Sequence, residues 1–128
     1  MTKAMFGLLT CALTLGLDAG NDREAEGRKL YETSVRPVFV KTCWECHSAK
    51  VKAPKAGLRL DSRERLLKGG DSGPAIVSGK PNESLLIHVL EHSSEIAQMP
   101  PGSRLADRLI DDFRRWVALG APYVDEPN

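Results

Sequence analysis

Cys43-Trp44-Glu45-Cys46-His47 constrains this chain more than any other stretch. Two thiols three residues apart, with an imidazole directly after the second, form the attachment pattern of c-type haem. The spacing has a chemical reason. Both thiols must reach the vinyl groups along one porphyrin edge and form thioethers, and about one helical turn between them sets that reach. His47 is then placed beneath the ring, with a neutral imidazole nitrogen for the iron. Two other uses of C-x-x-C compete. A redox dithiol belongs in a strand–helix–strand setting and needs no adjacent histidine, and nothing around Cys43 alternates in that way. A zinc site drawing on Cys43, Cys46 and His47 would have to use neighbouring ligands, whereas zinc ligands usually come in separated pairs.

The chain has 128 residues and 3 cysteines, one of them Cys11, so the length fits one domain and leaves no disulfide framework. The start reads as a secretory leader over residues 1–20. Lys3 precedes an apolar stretch from Ala4 to Leu17, and Asp18-Ala19-Gly20 is a poorly formed processing zone. The apolar stretch is too short to span a bilayer comfortably, and a buried N-terminal helix is the blander alternative. A single domain over residues 21–128 is expected. Export to the periplasm, or otherwise out of the cytoplasm, agrees with covalent haem, with no stable membrane span after leader removal. The net charge is +1, and Lys3 and Asp18 cancel, so removing the leader does not change it. No dense basic tract exists, which argues against nucleic acid as a partner. Lys41, Lys50, Lys52 and Lys55 cluster around the haem motif, as a solvated surface or as a rim for an acidic redox partner.

Along the chain, a polar helix is expected from Arg23 to about Thr33, with a kink or fresh start at Pro37. Val35, Val38 and Phe39 then form a helical stripe leading into Cys43. Residues 49–57 read as loop, and Gly57-Leu58-Arg59-Leu60 as a short extended piece offering leucines to the haem pocket. Asp61 with Glu64 makes a candidate capping box for a helix over 62–68, which Gly69-Gly70 stops. Lys68-Gly69-Gly70-Asp71-Ser72-Gly73 lacks the phosphate-loop pattern and reads as a loop packed close to haem. Pro81 opens a helix running to about His92, with Leu85, Leu86, Val89 and Leu90 inward. Leu109, Ile110, Phe113, Trp116 and Val117 mark a strongly amphipathic last helix over 106–119, ended by Gly120 and Pro122.

A low-spin haem needs a sixth ligand, and the candidates are Met99, His88 and His92. Met99 sits in a loop stiffened by Pro100 and Pro101, beyond the haem motif, and a thioether there would stabilise ferrous iron. His88 and His92 share one helix side, where a surface or packing role competes with a bis-His site.

These motifs together resemble the small cytochrome c domains of planctomycete bacteria. The resemblance rests on Val35-Arg36-Pro37-Val38, the haem motif, Gly57-Leu58-Arg59-Leu60-Asp61-Ser62-Arg63 and Lys68 to Ala75. It continues through Gly79-Lys80-Pro81-Asn82-Glu83-Ser84-Leu85-Leu86, Met99-Pro100-Pro101, Arg114-Arg115-Trp116 and Gly120-Ala121-Pro122. It implies an all-α, small cytochrome c-like fold of four to five helices around one covalently attached haem c. It also implies attachment at Cys43 and Cys46, with His47 and Met99 as axial ligands. The function implied is one-electron transfer between redox partner proteins, without substrate turnover. Leu105-Ala106-Asp107-Arg108 departs from the family by giving the last helix a weak start. The rival from another class is a haem-based sensor or peroxidase-like protein, with an open or bis-His site. Arg59 and Lys80 are candidate propionate partners, against a solvated face as the simpler role.

Overall fold

The structure is a computed structural model that describes residues 17–126. Residues 1–16 of the expected leader lie outside that range, and Leu17–Gly20 form the first turn of a helix. This helix, α1 (Leu17–Leu30), starts before the expected Arg23 and does not stop at Thr33. It passes into a π turn at Tyr31–Val35, a short α2 (Arg36–Val38) and a second π turn at Phe39–Cys43. Pro37 therefore neither starts a helix nor breaks one. In an α-helix its missing N–H and its ring would disrupt the preceding turn. Here the turn ahead of it is widened, with the Arg36 amide reaching Tyr31 O, five residues back. The chain then stays helical up to Cys43.

α1 is polar on most sides, and among residues 18–30 Gly27 alone is buried. A Cβ there would lie 2.6 Å from Pro122 Cγ, so glycine lets the C-terminal segment lie directly on the helix. Further along the same helical run, Tyr31, Val35, Val38 and Phe39 turn inward. They carry the stripe that leads to the thiols.

α3 (Arg63–Lys68) is capped by Ser62, whose hydroxyl accepts from the Arg65 amide at 3.2 Å. The expected cap, Asp61, is used otherwise: its carboxylate accepts from the Ala49 amide at 2.6 Å and faces Arg59. The anticipated helix from Pro81 to His92 is a 3₁₀ turn at Pro81–Glu83 followed by a six-residue α4 (Leu85–Leu90). Ser84 causes the break. Its buried hydroxyl bonds Lys80 O at 2.8 Å and accepts from the Val77 amide at 2.9 Å, and the backbone there is extended. Ile87 joins Leu86, Val89 and Leu90 in the core, and Leu85 is half-buried. α5 (Asp107–Ala118) agrees with its periodicity: Ile110, Phe113, Trp116 and Val117 are buried, with Leu109 at the margin. Its start has no side-chain cap, as Ala106 implied.

Among the described residues there is no strand, only an isolated bridge between Gly70 and Gly73, so the architecture is helical throughout. No described helix is long and apolar enough to cross a membrane. One end of the core is aromatic. Phe39 meets Phe113 edge-on at 5.5 Å and Trp116 at 6.0 Å, while Tyr31 and Tyr123 lie 4.5 Å apart. The other end is aliphatic and surrounds a cavity.

Candidate functional site: an apolar cavity over two thiols and an imidazole

That cavity, of about 290 Å³ and partly open, brings together the thiols and imidazole of the haem motif and Met99. Cys43, Cys46 and His47 line it from the end of the N-terminal helical run. Leu58 and Leu60 come from the following loop, and Gly70 to Gly73 from the glycine loop. Leu85, Leu86, Val89 and Leu90 come from α4, and Ile96, Ala97 and Met99, with Pro100 and Pro101, close it from the methionine loop. Met99 is tied in place by its amide, which donates to Val89 O at 2.9 Å.

The thiols sit where the helix ends. The Cys46 and His47 amides both donate to Cys43 O, at 3.2 and 3.0 Å, so the turn from 43 to 47 keeps a helical sense. Burial pushes the Cys43 thiol up to about 12, with Cys46 adding to the shift. Burial therefore favours the neutral form of the Cys43 thiol. A thioether carries no charge and fits the same apolar wall. The zinc alternative finds no cluster: among the described residues, no three His, Cys, Asp or Glu side chains gather as a metal site.

His47 is buried, and its Nδ1 lies 3.2 Å from Leu58 O. That carbonyl can only accept, so the bond places the proton on Nδ1 and leaves Nε2 with a lone pair. A backbone partner on one imidazole nitrogen is the usual way a metal-binding histidine is oriented and made more basic. The main chain grips His47 as well, since the Leu60 amide donates to His47 O at 2.9 Å. The set of donors and the apolar walls thus fit a haem held at one edge by two sulfurs.

The glycine loop forms a wall because its backbone comes very close to its neighbours. A Cβ on Gly70 would lie 2.3 Å from Ala56 O, and one on Gly69 would lie 1.8 Å from Gly73 O. Side chains at these positions would force the loop backbone out of this arrangement.

Several candidates lie elsewhere. His88 and His92 do not line the cavity, and His88 Nε2 is 2.8 Å from Asn82 O. Arg59 and Lys80 do not line it either: Arg59 faces Asp61 at 3.4 Å and Lys80 faces Glu83 at 3.3 Å. The cation on the lining is Lys55. Lys41, Lys50, Lys52 and Lys55 are all exposed. Sequence reasoning missed the Leu58 carbonyl, which no side-chain pattern encodes. It also missed Tyr123, whose hydroxyl donates to Leu60 O at 2.8 Å.

A helical domain with such a cavity over a C-x-x-C-H turn has the side chains that a c-type haem site requires. Residues 43–103 match the family model described as planctomycete cytochrome C, and the chain carries a planctomycete-type cytochrome c domain. The family implies covalently bound haem c. Comparison with curated proteins and with solved structures found no match.

Proposed function

We propose that this protein is an exported monohaem cytochrome that carries one electron between redox partner proteins, with residues 1–20 as its export leader. Cys43 and Cys46 hold the haem, and His47 and Met99 are its axial ligands. One observation carries the reading: the motif residues and Met99 line the same apolar cavity. Haem c supplies an iron that gains and loses a single electron. The chain's own residues do the rest. The Leu58 carbonyl orients the imidazole, the amide of Met99 anchors the thioether loop to α4, and the leucines of α4 keep bulk water away. A pair of fixed protein ligands keeps geometric change small between the two oxidation states and leaves no open position for substrate.

The test is a spectrum of protein made in a host that attaches haem. Haem should survive a denaturing gel, and the ferric protein should show the long-wavelength charge-transfer band of a methionine–iron bond. Met99→Ala should abolish that band and lower the reduction potential, because the thioether stabilises ferrous iron. Tight carbon monoxide binding by the unmodified protein, with no such band, would instead support the sensor or peroxidase-like alternative. A stable colourless product with free thiols would end the cytochrome reading.

A further inference from the structure

We propose that Tyr123, on the segment after α5, is a positioning residue for the His47 imidazole. The assignment rests on His47 being the iron ligand. Residues 58–60 grip His47 twice, through Leu58 O at the ring (3.2 Å) and the Leu60 amide at the main chain (2.9 Å). The Leu60 carbonyl, in turn, accepts from Tyr123 Oη at 2.8 Å and from Trp44 Nε1 at 3.2 Å. These two donors differ in what they tie together. Trp44 belongs to the haem motif, so its bond only ties the loop to the turn it already grips. Tyr123 joins the loop to the aromatic end of the core.

That anchor is held firmly. Tyr123 is buried, with its ring 4.5 Å from that of Tyr31, which leaves the hydroxyl little freedom to swing away. The segment carrying it is fastened on both sides. Trp116 Nε1 donates to Pro122 O at 2.7 Å, and the Arg63 guanidinium donates to Gly120 O and Ala121 O at 3.1 and 3.3 Å. Beyond Tyr123, Glu126 pairs with Arg36 at 2.6 Å. The alternative is a tyrosine that merely fills the core and finds a carbonyl for its hydroxyl. Tyr123→Phe separates the two, because it keeps the ring and removes only the hydrogen bond.

The experiment compares wild-type and Tyr123→Phe holoprotein by amide hydrogen exchange and redox titration. Losing one net hydrogen bond should speed exchange of the Leu60 amide up to about tenfold, while the Phe113 and Val117 amides keep their rates. The reduction potential should rise, because a looser Nδ1 bond makes the imidazole a weaker donor to ferric iron. Haem content should be unchanged. An unaltered Leu60 rate and potential, or an equal acceleration of every amide, would overturn the proposal. If the variant does not accumulate, the wild-type protein provides the test. In denaturant below the unfolding midpoint, the Leu60 and Ala121 amides should open together, and independent openings would refute the coupling. Wild-type protein lacking covalent haem would defeat the cytochrome reading itself, a result visible before any variant is made.

Discussion

Tyr31, Phe39, Phe113, Trp116 and Tyr123 pack ring against ring at one end of the core, and four of them have no measurable exposure. At the other end, Leu58, Leu85, Leu86, Val89, Ala97 and Met99 surround a cavity whose lining contains no Phe, Tyr or Trp. The two ends also differ in origin. The family-matched stretch, residues 43–103, supplies all of the cavity lining except Thr42, while all five rings come from the flanking segments. The aromatic end can close on its own side chains. On the proposed function the aliphatic end is shaped around a group that the chain does not encode, and its stability should depend on haem.

The largest effect should follow from breaking that tie. Cys43→Ala combined with Cys46→Ala removes both attachment points. Sealed and dry, a void of 290 Å³ would cost about 7 kcal/mol at the usual penalty per unit volume, an upper bound for a cavity partly open to water. That is comparable to the whole stability of a small domain, so the walls of the apoprotein should collapse or unfold rather than persist. Hydrogen exchange checks this. The Leu86, Val89 and Leu60 amides should lose protection in the double variant, and the Phe113 and Trp116 amides should keep more of theirs. Equal loss at both ends would mean that the contrast is one of composition and not of stability.

Phe113→Ala attacks the other end. Phe113 is fully buried, with its ring 5.5 Å from Phe39 and 6.3 Å from Trp116. Truncating such a phenylalanine typically costs about 3–5 kcal/mol. The denaturant midpoint of the holoprotein should fall accordingly, with the methionine–iron band retained in the fraction that stays folded. A variant that lost the band without losing stability would show the aromatic end acting on the iron site directly.

The contrast was only partly legible in the sequence. The cavity end was the easier to read: its chemistry sits in side chains at fixed spacing, so Cys43, Cys46, His47 and Met99 stood out before their placement was known. α5 was equally clear, because burial of Ile110, Phe113, Trp116 and Val117 follows a strict helical period. What escaped was work done by the backbone or by local competition. The Leu58 carbonyl that orients His47 would be present whatever residue stood there. Ser84 broke an expected helix because its hydroxyl bonds the Lys80 and Val77 backbone, a choice decided by burial. Ser62 replaced Asp61 as a cap because Asp61 was drawn to the Ala49 amide across the loop. Pro37 was tolerated inside a helix because the chain widened into π turns, and no residue type marks that in advance. Tyr123 belongs to no sequence pattern, and only the fold brings it to Leu60.

The smallest expected effect is confined to the ring end, and pH reveals it. Tyr31 is fully buried, and desolvation, the largest cause, pushes its phenol up from 10 to about 12. Burial, followed by the neighbouring Tyr31, pushes Tyr123 upward as well. A phenol held neutral in the folded state stabilises it fully below the unfolded value of about 10, and that contribution is lost as pH rises toward the folded value. For Tyr31 the loss between pH 10 and 12 should be on the order of 2 kcal/mol, from the size of the shift. With Cys43 in the proposed thioether, which carries no titrating proton, the cavity end should add little to this slope. Denaturant midpoints measured from pH 8 upward should therefore hold level to about pH 10 and then decline. Tyr31→Phe should flatten that decline without removing it, because Tyr123 remains. An equally steep decline in the variant would move the alkaline weakness away from the rings and show that the two ends do not divide the protein's response to base.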